Sequence, residues 1–389
     1  MRKILALAFV ASMAMGVQAQ DTQNESKSIK IPAWISDVKL SGYGMLQYQA
    51  STQKDAKSNS FNLRLARISL DGRIMNDFYW KAQIQFNGNT ATLGSSPRVV
   101  DLFAEWQKYK FFMVKAGQFK RPFTFENPMH PIDQGFLGYS QNVNALAGFS
   151  DRAGAQASNG RDIGLQIQGD FLKNANGREL LHYQVGVFNG QGINTGDIDQ
   201  QKDLIGGLWV MPVKGMRIGA FGWTGSYARK GNWTEMVMDE NRIPVEKAHN
   251  GEVRKLQQRR WAVSAEYKVN DWTLRSEYIH STGQAFKTRN QKSGDTSDCT
   301  LNDAIGDKAD GIYALAIAPV VKKKLYAKAR YDMYRSTAEW NSAKTMYEVG
   351  LNYLIHKNLQ INAEWAFVND RTLNKHNYNI ADIELDFRF

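Results

Sequence analysis

Apolar and polar residues alternate along most of this chain. The clearest run is 78–87, where Phe78, Trp80, Ala82, Ile84 and Phe86 fall on one side of an extended backbone and Tyr79, Lys81, Gln83, Gln85 and Asn87 on the other. Val100, Leu102, Ala104 and Trp106 alternate in the same way with Asp101, Phe103, Glu105 and Gln107, and at the far end Ala381, Ile383, Leu385, Phe387 and Phe389 alternate with Asp382, Glu384, Asp386 and Arg388. A period of two predicts strands, and repeating the reading along the chain predicts about sixteen of them. The ninth, 216–228, is legible as a strand, but its two faces cannot be told apart. The polar sides are too polar for the core of a soluble sandwich.

The connections sort by length. Links from even to odd strands take a few residues, whereas links from odd to even strands are longer and polar, including 229–258 and 281–309. A barrel with one end toward the periplasm and the other outside is built that way. It also pairs every backbone group and leaves no edge, as a bilayer requires. Trp80, Trp106, Trp272 and Tyr353 fall near short-turn ends and Trp261, Trp365 and Phe367 near long-loop ends, as two aromatic girdles would. The fold expected is all-β, a transmembrane antiparallel barrel.

One connection, 120–160, is too long to be idle, since structureless loops beyond roughly 12–15 residues are usually functional or disordered. It carries Phe123, Phe125, Phe136, Leu137, Tyr139, Leu146 and Phe149, an aromatic content foreign to disorder. We expect it to fold into the lumen, with its apolar side on one wall and its polar side toward the water path. An ordinary surface flap is the competing reading.

Composition narrows the setting. Arg2 and Lys3 precede an apolar run ending in Val17-Gln18-Ala19, the pattern of a cleaved signal peptide over 1–19. Residues 20–36 read as a periplasmic linker and 37–389 as the barrel. Beyond the signal no apolar run approaches the roughly 18 residues of a membrane helix. Cys299 is the single cysteine, so no internal disulfide framework exists. The formal charge of +11 falls to about +9 without Arg2 and Lys3, a mild general bias toward anions.

GQFKRPFTFE at 117–126 and GRDIGLQIQG at 160–169 resemble the phosphate-selective porin O and P family, as do NLRLARISLDG at 62–72 and VGVFNGQG at 185–192. The resemblance implies a sixteen-stranded barrel in the outer membrane of a Gram-negative bacterium. It further implies a homotrimer among outer-membrane lipid and lipopolysaccharide, with the third long loop narrowing the pore. The terminal Phe389 is similar to the closing aromatic of such barrels.

Within that frame, Lys120, Arg121, Arg152 and Arg161 are the candidates for anion selectivity at the constriction, with Arg67, Arg73, Lys81 and Lys115 as lumen cations. Glu126, Asp133 and Asp151 nearly balance the loop's charge, and the remaining lumen positions mix both signs. Transverse salt bridges across water would explain such a face without any anion ladder. No catalytic motif, metal-ligand spacing or cofactor fingerprint is present in the sequence. Ser281 beside His280 fails as a hydrolytic pair because neighbours on a strand point to opposite faces. His130 is a loop residue that lines the pore or merely adds polarity. The strict alternation of basic and aromatic residues fits a membrane wall better than a nucleic-acid surface. The expected function is passive passage of small hydrophilic solutes, with some preference for anions or phosphate. The alternative is a surface receptor or adhesin that uses the loops 229–258 and 281–309.

Overall fold

The computed structural model describes residues 32–87, 97–153, 156–287 and 297–389. The expected signal peptide and the expected linker as far as residue 31 lie outside the described residues. Sixteen long strands make up the wall: β1 (Ile35–Ser51), β2 (Ser58–Ile74), β3 (Phe78–Gln85), β4 (Arg98–Tyr109), β5 (Phe112–Lys120), β6 (Arg161–Lys173), β7 (Glu179–Phe188) and β8 (Asp203–Val210) in the first half. The second half holds β9 (Met216–Met238), β10 (Pro244–Val269), β11 (Trp272–Thr282), β12 (Lys308–Val321), β13 (Leu325–Arg335), β14 (Ala343–His356), β15 (Leu359–Asp370) and β16 (Asn377–Arg388). Each pairs antiparallel with its sequence neighbours, and β16 returns to pair with β1 from Tyr43↔Arg388 to Ser51↔Ile380. The sheet is therefore a closed barrel of sixteen antiparallel strands.

The distribution of side chains is inverted relative to a soluble protein. Leu102, Leu165, Leu208, Val263, Leu274, Val349, Leu351 and Ile383 are exposed, while Gln83, Gln85, Arg260, Glu277, Arg330 and Glu384 are buried. Apolar surface turned outward and polar surface turned inward is the arrangement a bilayer stabilises. The seven even-to-odd turns take two to five residues and gather at one end, and of the connections at the other end only that between β9 and β10 is as short.

Three departures from simple alternation shape the wall. Val100 is buried, because the register slips between Gln83↔Asp101 and Ile84↔Val99 and leaves it as an extra residue on the inner side. The segment 229–258, expected as a loop, is instead mostly paired strand: β9 and β10 remain paired to Met238↔Pro244, with one register shift between Gly231 and Trp233. Their wall partners end earlier, at Leu204↔Thr224 and Arg259↔Thr282, so the hairpin rises beyond the barrel paired almost entirely with itself. With no lipid on one side and no lumen on the other, its residues lose the alternation by which strands are recognised. The third departure explains the unreadable ninth strand. Phe221 and Trp223 point inward and are buried in one large apolar cluster, while Ile218 faces out, so both faces of β9 are apolar.

Gly117, in β5, has φ +128, and a Cβ there would lie 2.3 Å from the Leu102 carbonyl oxygen and 2.7 Å from the Phe103 Cα. We expect Gly117→Ala to destabilise the barrel by about 1–3 kcal/mol through this strain. Loss of the compact, unheated electrophoretic form at a lower temperature than wild type would show it.

Candidate pore constriction

The connection between β5 and β6 folds as compact turns with one short helix, α1 (Gln141–Leu146). Its Phe123, Phe125, Phe136, Val143, Leu146 and Phe149 pack with Phe221 and Trp223 of β9, Ala262 of β10, Ile279 of β11 and Tyr313 and Leu315 of β12 in a single cluster. Phe123 meets Trp223 edge-on at 5.5 Å, and Phe125 meets Phe221 at 5.4 Å. This sector of the wall is apolar on its inner face, and the connection covers it.

Charged wall residues hold the connection's backbone. Glu277 of β11 accepts the Phe125 and Glu126 N–H groups, at 3.2 and 2.7 Å, as well as the Ser264 and Tyr313 hydroxyls. Asp332 of β13 accepts the Gln141 N–H at 2.9 Å, and Glu364 of β15 accepts the Leu137 N–H at 3.0 Å. The cations alongside donate to the same stretch. Lys328 reaches the Gly135 carbonyl at 2.9 Å and Arg330 the Gly138 carbonyl at 2.9 Å, while Arg275 bonds the Gln134 carbonyl. Hydrogen bonds to charged groups contribute more than neutral ones, about 1.5–3 kcal/mol each. The mixed charges of these strands therefore pair with peptide groups as much as with each other.

The other sector, β1 to β6, is left open. Arg67, Lys81, Lys115, Lys120 and Arg161 line one cavity of about 240 Å³ together with Tyr43, Phe103, Phe119 and the turn Pro128, Met129, His130 and Pro131; Asp101 is the one carboxylate among its lining residues. The arginines are locked. Arg67 bonds Gln85 and Tyr43 through all three of its nitrogens, and Arg161 bonds Asp101, Gln83 and the Asn159 carbonyl. The Lys120 ammonium is held by the Met129 carbonyl and the Tyr139 hydroxyl. Lys81 and Lys115 are looser, 3.8 Å from Asp101 and 3.6 Å from Glu105.

Of the eight cations singled out from sequence, five thus meet at one place. Arg121 is elsewhere: it pairs with Asp162 at 2.8 Å under Trp223. Arg152 donates to the Gly283, Ile305 and Gly306 carbonyls and ties the connection to the segment after β11. Arg73 bonds the Asn76 carbonyl and Gln107 beside a short turn. Sequence reasoning missed Tyr43 and the Phe103 and Phe119 rings, whose place in the cavity follows from cross-strand neighbours and not from spacing along the chain. It also passed over Arg98, at the start of β4, whose Nε and Nη2 are buried with no hydrogen-bond partner among the described residues.

Two connection residues show how burial sets charge. Burial would raise the Asp151 carboxyl, but the Arg260 guanidinium, bidentate at 2.6 and 2.9 Å, holds it below the usual carboxylate range. Burial pushes His130, edge-on to Tyr43 at 4.4 Å, down to about 4, and the Lys120 ammonium adds to the effect. His130 is then neutral wherever the barrel is folded and the pH exceeds about 5. His130 should therefore add no pH dependence to the charge preference from about pH 8 to 5, and should strengthen it toward anions only below that range. A reversal potential that shifts near pH 6.5 and no longer does so in His130→Asn would contradict this.

Residues 40–192 match the family model described as phosphate-selective porin O and P. The sequence matches no curated protein. Among solved structures, the fold is similar to the anion-selective porin from Comamonas acidovorans, with TM-score 0.61 and 13% identity over 91% of this chain and 100% of that one. It is similar also to OmpF of Salmonella typhi, with TM-score 0.58 and 13% identity over 91% of this chain and 98% of that one. OmpT of Vibrio cholerae has TM-score 0.57 and 13% identity over 94% of this chain and 100% of that one. At such identities the likeness speaks for the fold. The N-terminal part of the barrel, including β2 to β6 and the connection within it, matches the phosphate-selective porin O and P family, and the barrel as a whole has the porin fold.

Proposed function

We propose that the protein is a passive outer-membrane channel that admits small hydrophilic solutes and prefers anions. The observation that carries this reading is the division of the wall into two sectors. A single connection bonds to strands β11, β13 and β15 and packs on β9, β10 and β12, a reach that a closed barrel permits only from within. Placed there, it fills the apolar sector and leaves the path beside the basic one. Selectivity then comes from the field of Lys81 and Lys115, backed by Arg67, Lys120 and Arg161, at the narrowest point. No bond is made or broken. By analogy with the porins it resembles, the chain is exported by its N-terminal signal, sits among outer-membrane lipid and lipopolysaccharide, and assembles as a homotrimer; one similar structure is described as the trimer form of Vibrio cholerae OmpT.

Liposome swelling tests the reading. Proteoliposomes should swell in small solutes, faster with an anionic sugar acid than with the neutral sugar of the same size. The projecting β9–β10 hairpin favours one second reading, a surface receptor, because Met236, Met238, Ile243 and Val245 stand exposed near its tip. No swelling from folded, inserted protein would sink the channel and leave the receptor.

A further inference from the structure

Resting on the anion-channel reading, we propose that the solutes this channel favours are organic anions with a flat apolar body, of the aryl carboxylate class, over inorganic phosphate. The first argument concerns donors. Phosphate carries oxygens on every side and needs hydrogen-bond donors around it, whereas three of the five N–H groups of Arg67 and four of the five of Arg161 are already bonded within the wall. Lys120 is likewise committed to the Met129 carbonyl and to Tyr139. Lys81 and Lys115 are the least committed, with only long ion pairs at 3.8 and 3.6 Å, and a single ammonium can donate to a carboxylate without encircling it.

The second argument concerns the surfaces beside those lysines. Tyr79, Phe103 and Phe119 form a diagonal of rings across β3, β4 and β5, with centroids 6.0 and 5.9 Å apart. The Lys115 ammonium stands 5.0 Å from the Phe103 centroid and 5.4 Å from that of Phe119, so charge and ring face the same space. Across the cavity Pro128, Met129 and Pro131 present apolar surface from the connection. A hydrated inorganic ion between these surfaces loses water without gaining a partner, while a planar ring gains contact on both sides. Size permits it, since the cavity holds about 240 Å³ and roughly 150 Å³ of apolar space accommodates benzene.

The test is chloride current through the full-length protein in planar bilayers, with benzoate, acetate or inorganic phosphate added at matched ionic strength. Benzoate should reduce the current at about one-tenth the concentration needed for acetate or phosphate, since one stacked ring is worth about that factor. Phe103→Leu, which keeps apolar volume and removes the flat face, should bring the benzoate and acetate values together. If that variant does not fold, the wild-type ratio of benzoate to acetate decides alone. Phosphate acting as well as benzoate, or acetate matching benzoate, overturns the proposal and leaves the anion channel standing. A cation-selective current untouched by all three overturns both.

Discussion

Glu277→Ala will destabilise the folded barrel by about 3–5 kcal/mol, the usual cost of stripping one partner from a buried charged network. Glu277 is almost fully buried and accepts four hydrogen bonds: two peptide N–H groups of the connection, the Ser264 hydroxyl and the Tyr313 hydroxyl. Removing it leaves those donors unpaired, while the buried Arg275 beside them keeps its own carboxylates, Glu126 and Glu266. The damage falls on the connection before the wall, because the strands keep their ladders to both neighbours. Two readings follow: the compact electrophoretic form is lost at a lower temperature, and protease applied to native protein cuts within 121–160. Asp332→Ala and Glu364→Ala should do less, since each receives one peptide N–H of the connection. A Glu277→Ala protein as heat-stable and protease-resistant as wild type would show that the wall charges do not hold this segment.

Replacing both Lys81 and Lys115 by Gln will lower the ratio of anion to cation permeability about tenfold. Each ammonium acts on a permeating ion a few ångströms away through water, where a unit charge at 4 Å is worth about 1 kcal/mol, and two such terms after screening leave about that factor. Arg161 contributes less to a passing ion because the Asp101 carboxylate already answers its charge, whereas Arg67, bonded to the neutral Gln85 and Tyr43, adds its charge from behind them. Arg152→Gln removes the same kind of charge from the other side of the connection, where Arg152 caps carbonyls, and should leave the ratio nearly unchanged. Salt-gradient reversal potentials of the two proteins, measured side by side, check both statements. Equal shifts would mean that net charge matters and location does not.

The wall was legible because a period of two needs no partner to be seen. Residues 78–87 announce a strand and its facing without knowledge of β2 or β4, and the short and long connections order the strands. Legibility failed where the environment on the two faces stopped differing. At β9 both faces are apolar, since Phe221 and Trp223 meet the connection and Ile218 faces out. In the rising hairpin neither face is lipid, and 229–258 passed for a loop. The candidate site was legible by charge type but not by position. Arg121, Arg152 and Arg161 lie within about forty residues of each other, yet Asp162, a set of carbonyls and Asp101 draw them to three different places. Mixed signs on the lumen face suggested transverse salt bridges across water, but pairs such as Arg330 with Glu348 join neighbouring strands along the wall. The same strands also serve the peptide groups of a segment far away in sequence, and nothing in their own spacing announces that.

The central claim is that one connection narrows a water path whose remaining wall is basic. It is tested most directly by the reversal potential of single wild-type channels under a potassium chloride gradient. The account predicts stepwise currents with a reversal potential displaced toward that of chloride. Stepwise currents displaced toward the potassium potential, or no current from folded and inserted protein, would contradict it.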